Sequence, residues 1–226
     1  KAQAWFELSA QQNMGRAIYR LGYLHECGLG RPVNFKKAAT YYQEACEHLE
    51  EEAFLRLGLM HAHGQGVAQN YTLAAEYLLR AAEQGNALAQ FNYGNLLDYG
   101  NGVAQDNTEA IAYYTRAAEA ALPEAQFALG QKYLFGDGIE KDLERGLELI
   151  NASADQTYGP AFCILGCLYV DGDDVEQNYQ LGAKYQLLAA ELEHPIAHGF
   201  VGVHFVTGCG VPQDFELAAY WFAKGA

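Results

Sequence analysis

Four phrases in the sequence have the composition of a phosphate cradle: GQGVAQNY at 64–71, GNGVAQDN at 100–107, GDGIEKDL at 136–143 and GCGVPQDF at 208–215. Paired glycines let backbone N–H groups close around a phosphate. That chemistry also needs a preceding strand and a third glycine, or a Gly-Lys-Ser/Thr ending, and neither accompanies these loops. Cys163 and Cys167, one helical turn apart, could bind a metal if other ligands converged. Small core or groove-lining residues are the better reading, because free cysteine is commonly a buried apolar filler. Thiol exchange prefers Cys-x-x-Cys near a helix start, which this is not. His194 and His198 are four apart, but Pro195 reads as the first residue of a helix and leaves His194 at the cap with a different side-chain direction. His198 shares its repeat position with Gln90 and Gln126, which points to a hydrogen-bonding structural role. His61 and His63 face away from each other on a helix. The only serines, Ser9 and Ser153, sit neither in a Gly-x-Ser-x-Gly elbow nor three residues before a lysine. Glu50, Glu51 and Glu52 read as a solvated helix start. No catalytic residue, no cofactor and no metal site is expected.

What positions these residues is a period. The first glycine of the phrase falls at 28, 64, 100, 136, 172 and 208, a step of 36 residues. Ala17, Ala53, Ala89, Ala125, Ala161 and Ala197 keep the same step, as do Gly22, Gly58, Gly94, Gly130, Gly166 and Gly202. Within a repeat, Ala17, Leu21, Gly22 and His25 follow the spacing of one helical stripe, and Ala74, Tyr77, Leu78, Ala81 and Ala82 that of a second. His25 and His61 stand where Tyr133 and Tyr169 stand, which makes them packing residues. Small residues at 17, 22, 38 and 45 let helix axes approach, and the rings at 41 and 42 fill the gaps. A lone hairpin of this kind cannot bury its own apolar faces, so neighbours must stack. The predicted fold is all-α: a right-handed α-solenoid of stacked antiparallel helix pairs, with six 36-residue repeats and a partial N-terminal helix.

The expected boundaries are 1–10 for the second helix of a preceding repeat, then repeats near 11–46, 47–82, 83–118, 119–154, 155–190 and 191–226, all in one solenoid domain. The chain opens on Lys1 inside a helical pattern, so a fragment of a longer protein is expected. The glycine loop is then punctuation. It follows the first helix of each repeat, where a left-handed residue is wanted. Val67, Val103, Ile139, Val175 and Val211 plug the corner, and Asn70, Asp106, Asp142, Asn178 and Asp214 cap the second helix. In Gly172-Asp173-Asp174 the second glycine gives way to Asp, one of the few residues that tolerate a left-handed backbone.

Ala-Gln-Phe-x-x-Gly at 89–94 and 125–130, Gly-x-Gly-Val-x-x-Asp at 100–106 and Ala-x-x-Tyr-Tyr-x-x-Ala-Ala-Glu at 110–119, at a 36-residue step, resemble the Sel-one-like repeat (SLR) family, relatives of the tetratricopeptide repeats. The resemblance covers essentially the whole chain. It implies a non-enzymatic scaffold or adaptor that binds other proteins or peptides, in settings from endoplasmic-reticulum quality control and fungal cell-wall synthase activation to bacterial signalling, envelope assembly and host invasion. A cysteine-rich bacterial branch with a disulfide in every repeat has been linked to penicillin binding. Most repeats here carry no cysteine pair, so a cell-envelope enzyme or enzyme regulator of that kind is the weaker alternative.

Positions that repeat make the fold, so positions that vary between repeats should carry the partner. If the first helix of each repeat lines the concave face, as in tetratricopeptide relatives, three varying columns are presented there. They read Arg20, Arg56, Asn92, Ala128, Ile164, Phe200; then Tyr23, Leu59, Asn95, Gln131, Cys167, Val203; then Glu26, Ala62, Asp98, Leu134, Val170, Val206. The expected groove residues are Tyr19, Arg20, Tyr23, Arg56, Leu59, Asn92, Asn95, Gln131, Ile164, Phe200 and Val203. Arg20 and Arg56 would meet a carboxylate, Asn92 and Asn95 the backbone of an extended segment, and Ile164, Phe200 and Val203 apolar side chains. Pairing of Arg20 and Arg56 with Glu26 and Glu52 is the competing expectation.

The net charge of −14 repels phosphate backbones and anionic lipid surfaces, so neither nucleic acid nor membrane is an expected partner. No stretch approaches the roughly 20 apolar residues of a spanning helix. Five irregularly placed cysteines favour a reducing compartment, with a bacterial exported or secreted protein as the alternative. Trp5, Phe6, Trp221 and Phe222 lie on terminal helices without neighbours, which adds end-to-end self-association as a third reading.

Overall fold

The computed structural model describes residues 15–225, so Trp5, Phe6 and the helix expected over 1–10 lie outside it. The described residues form twelve α-helices and no strand. They fall into two compact units, one ending at Ala120 and the other beginning at Ala121. The first holds α1 (Gly15–Glu26), α2 (Phe35–Glu47), α3 (Glu51–His63), α4 (Tyr71–Glu83), α5 (Ala87–Tyr99) and α6 (Asn107–Glu119). The second holds α7 (Pro123–Phe135), α8 (Leu143–Asp155), α9 (Gly159–Asp171), α10 (Tyr179–Glu191), α11 (Pro195–Thr207) and α12 (Phe215–Lys224).

Each odd-numbered helix forms a hairpin with the helix after it, and the hairpin is tight because one partner lacks a side chain at the crossing. A Cβ on Gly94 would lie 2.9 Å from the ring of Tyr114, so the ring packs flat onto the α5 backbone. Tyr42, Phe54, Ile18, Leu57, Leu78 and Tyr114 are fully buried in the first unit, and Leu134, Ile150, Leu165 and Val201 in the second. The buried alanines at 53, 74, 89, 110, 125, 161 and 197 let neighbouring axes close up.

The glycine loops end the odd-numbered helices as expected. Gly100 takes φ 67° in the left-handed region, and its N–H donates to the Leu96 carbonyl. Asp106 then caps α6, its carboxylate accepting from the N–H of Glu109 at 2.9 Å. Asn34, Asn70, Asp142, Asn178 and Asp214 do the same for α2, α4, α8, α10 and α12. Gln69, Gln105, Gln177 and Gln213, a column without an expected role, donate their amides to the ends of α3, α5, α9 and α11 at 2.7–2.8 Å.

The second glycine has a further duty. A Cβ on Gly102 would lie 2.2 Å from the carbonyl carbon of Tyr71, at the start of α4 in the preceding repeat. Gly66 stands in the same relation to Phe35 at 2.3 Å, and Gly210 to the Tyr179 carbonyl oxygen at 2.1 Å. The loop of one repeat therefore rests directly on the backbone of the one before it. Asp174, expected to keep a left-handed backbone in the glycine's place, does not have one: among the described residues, positive φ outside glycine is confined to Leu49, Ala121, Thr157 and Glu193. Its carboxylate accepts from Lys141 at 2.8 Å instead.

Those four residues share one column with Gly85, at the turn into the next repeat. The strain is greatest at Thr157, a β-branched side chain held at φ 61°. Thr157→Gly is expected to stabilise the second unit by about 1 kcal/mol, since a left-handed non-glycine residue costs about 1–2 kcal/mol and glycine's extra chain entropy returns part of it. A thermal midpoint equal to or below that of the parent chain would contradict this account.

Candidate binding surfaces

In the first unit the candidate residues divide into those held by the fold and those left facing water. Tyr42 and Tyr114 are buried rings whose hydroxyls reach across to the odd-numbered helix. Tyr42 donates to Glu26. Tyr114 donates to Oδ1 of Asn95 at 2.7 Å and to Asp98 at 3.3 Å. Burial first, and then the Glu26 carboxylate, push the Tyr42 hydroxyl far above its ordinary range. Glu26 also holds Arg56 at 3.4 Å. Burial works against the Arg56 charge, and Glu26 together with Tyr19 and Tyr42 outweighs it. The Arg56 guanidinium lies 5.8 Å from the Tyr23 ring centroid. Arg20 is exposed, its guanidinium 5.8 Å from the centroid of the buried Tyr19. Asn92 donates back to the Leu88 carbonyl at 2.7 Å and stays half-buried beside half-buried Leu59 and Asn95. The sequence carried a signal for the Tyr–carboxylate link. Where one column has Tyr42 or Tyr114, another has Glu26 or Asp98; where it has Leu78, Ile150, Gln186 or Phe222, the other has Ala62, Leu134, Val170 or Val206.

The acidic run at the start of α3 holds a hydrogen-bonded pair, Glu50 and Glu52, rather than a plain solvated start. Burial, and then the hydrogen bond and charge of Glu52, push the Glu50 carboxyl up to about 7. The same hydrogen bond holds Glu52 below the usual carboxylate range, with burial opposing and Arg16 and Arg20 assisting. A carboxyl raised in the folded chain keeps a proton that the unfolded chain has already lost. Its stabilising contribution is therefore full below the ordinary carboxylate range and fades as pH climbs toward about 7. Glu52 acts in the opposite sense, and only at lower pH. We expect the urea midpoint of the parent chain to fall more between pH 5 and pH 8 than that of Glu50→Gln. Parallel slopes would mean that the pair holds no proton.

In the second unit two of the three apolar candidates lie at a pocket. Phe200, Val203 and Val206 of α11 are 36%, 50% and 37% exposed. Phe200 and Val203, with Val170 of α9 and Tyr179 of α10, wall a pocket of about 230 Å³. Its polar lining includes Cys167, Asp171, Gln186, His204, Thr207 and Cys209. Nδ1 of His204 bonds the Cys209 carbonyl at 2.6 Å, and Nε2 meets Oε1 of Gln186 at 2.8 Å. The Gln186 amide donates to Sγ of Cys167 at 3.8 Å. Gln186 and His204 are 2% and 6% exposed. Gln186 stands where other repeats place Tyr42, Leu78, Tyr114, Ile150 and Phe222, and His204 where they place Leu24, Met60, Leu96, Lys132 and Leu168. These departures were the available sequence signal for the pocket. Ile164 packs against the buried cluster of Ile150 and Leu165, and Gln131 is half-buried on α7.

Cys163 is buried, Cys167 half-buried, and their side chains hydrogen-bond. The Cys163 S–H draws the Cys167 thiol down to about 7, with Gln186 assisting and burial and Asp171 opposing. Burial pushes the Cys46 thiol up to about 12. His25 and His61 stack on Tyr41 and Tyr77 at 5.6 and 5.8 Å between centroids. His194 is the N-cap residue of α11, and buried His198 stacks on Trp221 at 5.7 Å. Ser153 is fully buried and donates to the Pro123 carbonyl at 2.8 Å. Among the described residues no three His, Cys, Asp or Glu side chains are grouped to hold a metal ion. No described helix is long and apolar enough to cross a membrane.

Repeated helical hairpins with a glycine-loop contact between repeats define an α-helical repeat protein, and comparison with known proteins names the repeat. The Sel1 repeat matches residues 1–14, 15–48, 52–86, 87–122, 123–158, 163–194 and 195–226, and the chain belongs to the Sel1 repeat family. It is similar to c5321, described as a protective antigen of uropathogenic Escherichia coli with an SLR fold, at 27% identity and a TM-score of 0.86, covering 99% of this chain and 48% of that one. The chain thus spans about half the length of that relative. It is similar to a Sel1 repeat protein from Oxalobacter formigenes at 29% identity and a TM-score of 0.86, covering 94% of this chain and 87% of that one. The immunity protein Pa5087 from Pseudomonas aeruginosa shares the fold at 19% identity and a TM-score of 0.63, covering 93% of this chain and 80% of that one. No curated protein matches the chain. The fold is thus an all-helical Sel1-repeat solenoid, typically non-catalytic, and proteins of this family generally serve as protein–protein interaction scaffolds.

Proposed function

We propose that this chain is an adaptor whose odd-numbered helices receive an extended segment of a partner protein. One observation carries the reading: Phe200, Val203 and Val206 of α11 stay exposed, and the first two wall a pocket in the second unit. A partner's apolar side chain seated there would gain roughly 25 cal/mol for each Å² of apolar surface removed from water. In the first unit Arg20 offers its charge to a carboxylate, while Arg56 is already committed to Glu26 and contributes through its stem and the Tyr23 face. Asn92, Asn95, Leu59 and Tyr19 border the polar stretch of the first unit, and Gln131 and Ile164 are the remaining candidates of the second.

Selection of displayed random peptides on the chain tests this. Enriched peptides should carry an apolar anchor, and Val203→Glu should weaken them at least about tenfold, because it buries a charge against that anchor. Arg20→Glu should weaken only those that also carry a carboxylate. Peptides indifferent to both substitutions would move the site to another surface.

A further inference from the structure

The scaffold reading gives no reason for a thiol at position 167, where the other repeats have Tyr23, Leu59, Asn95, Gln131 and Val203. Yet the surroundings of this sulfur are built in detail. Cys163, one turn earlier on α9, hydrogen-bonds to it. From α10 the Gln186 amide donates to it at 3.8 Å. Gln186 is itself fixed by His204 at 2.8 Å, and His204 by the Cys209 carbonyl at 2.6 Å. The Gln186 donor, with the Cys163 thiol one turn away, favours the thiolate, and the thiolate is the nucleophilic form. The remaining titratable neighbours are Asp171 on the same helix, whose charge opposes the thiolate, and Tyr179 and the Cys209 thiol, which line the same pocket. The walls at Val170, Phe200 and Val203 are apolar, and the space of about 230 Å³ suits a small molecule.

We propose that Cys167 is a covalent acceptor site for small, uncharged, apolar electrophiles of the α,β-unsaturated carbonyl class. Sγ bonds to the β-carbon, and the π pair moves to the carbonyl oxygen as an enolate. The enolate takes up at its α-carbon the proton that the thiol gave to solvent. The product is a thioether, and the addition consumes nothing beyond the thiol and the alkene. The apolar walls favour neutral reagents, and Asp171 together with the net charge of −14 disfavours anionic ones.

N-ethylmaleimide, a neutral member of this class, supplies the test at limiting stoichiometry on the folded chain at pH 7, with modified peptides mapped by mass spectrometry. Cys167 should be labelled about fivefold faster than Cys27 and Cys209, although both are more exposed. The gain in thiolate fraction exceeds the loss of intrinsic nucleophilicity that accompanies a lowered pKa. With anionic iodoacetate the order should reverse. In Cys163→Ala the pH midpoint of Cys167 labelling should rise, and Cys163→Ser, which keeps a donor, should retain the parent profile. Labelling of Cys167 no faster than of Cys27 and Cys209 would overturn the proposal. So would a midpoint that stays put in a Cys163→Ala chain with the parent's thermal unfolding; should that variant not fold, a Gln186→Leu chain with an unmoved midpoint would do the same.

Discussion

Gly102→Ala is expected to destabilise the first unit by about 3 kcal/mol or more, far beyond the usual cost of an alanine in a loop. Two terms add. Gly102 has φ 74°, and a left-handed non-glycine residue costs about 1–2 kcal/mol. The new Cβ would also fall 2.2–2.5 Å from three backbone atoms of Tyr71 and Thr72. Backbone cannot rotate aside as a side chain can, so the loop and the start of α4 must separate. Gly85→Ala is the control, because Gly85 has φ 88° and nothing within 4 Å of an added Cβ. It should cost about 1 kcal/mol, the dihedral term alone. Urea unfolding of both variants separates the terms, and hydrogen exchange should show early opening of α4 only in Gly102→Ala. Equal losses would mean that the second glycine serves the turn and not the stacking.

The second large effect is expected in the buried polar chain of the second unit. Gln186→Leu leaves Nε2 of His204 without its partner, and His204→Leu strands Oε1 of Gln186. Each should cost about 2 kcal/mol, the desolvation penalty of a buried group left unpaired. The double substitution should cost much less than their sum. It installs the residues that stand at the equivalent positions three periods before, Leu78 and Leu96, with a glycine opposite, as Leu78 lies over Gly58. A double-mutant cycle by urea denaturation measures the difference, and a coupling energy near zero would show that the two side chains do not depend on each other.

Sequence periodicity made most of the architecture legible because stacking imposes the same demand on every repeat. The caps at Asp106 and Asn178, the left-handed Gly100 and the ring–glycine crossings each appear several times over. Singular features were harder to read. Cys167, Gln186 and His204 occupy three different columns, and only the packing of α9, α10 and α11 brings them to one pocket. Nothing about Leu49, Ala121, Thr157 or Glu193 announces a left-handed backbone, and Gly85 is the lone hint in that column. Among the groove candidates, composition could not distinguish Arg20, which is exposed, from Arg56, which Glu26 holds, or foresee that Tyr114 would take the Asn95 oxygen.

Where the loop of one repeat meets the helix of the repeat before it, glycine touches main chain, and main chain is the same whatever the residue. Phe35, Tyr71 and Tyr179 present the same carbonyl to Gly66, Gly102 and Gly210. A crossover that duplicates or removes one period therefore rejoins a seam that fits at once. The Tyr42–Glu26 and Tyr114–Asp98 links travel intact within their own period. Genes of this kind can lengthen and shorten by unequal recombination without first evolving a matching junction, which leaves the exposed positions free to diverge toward new partners.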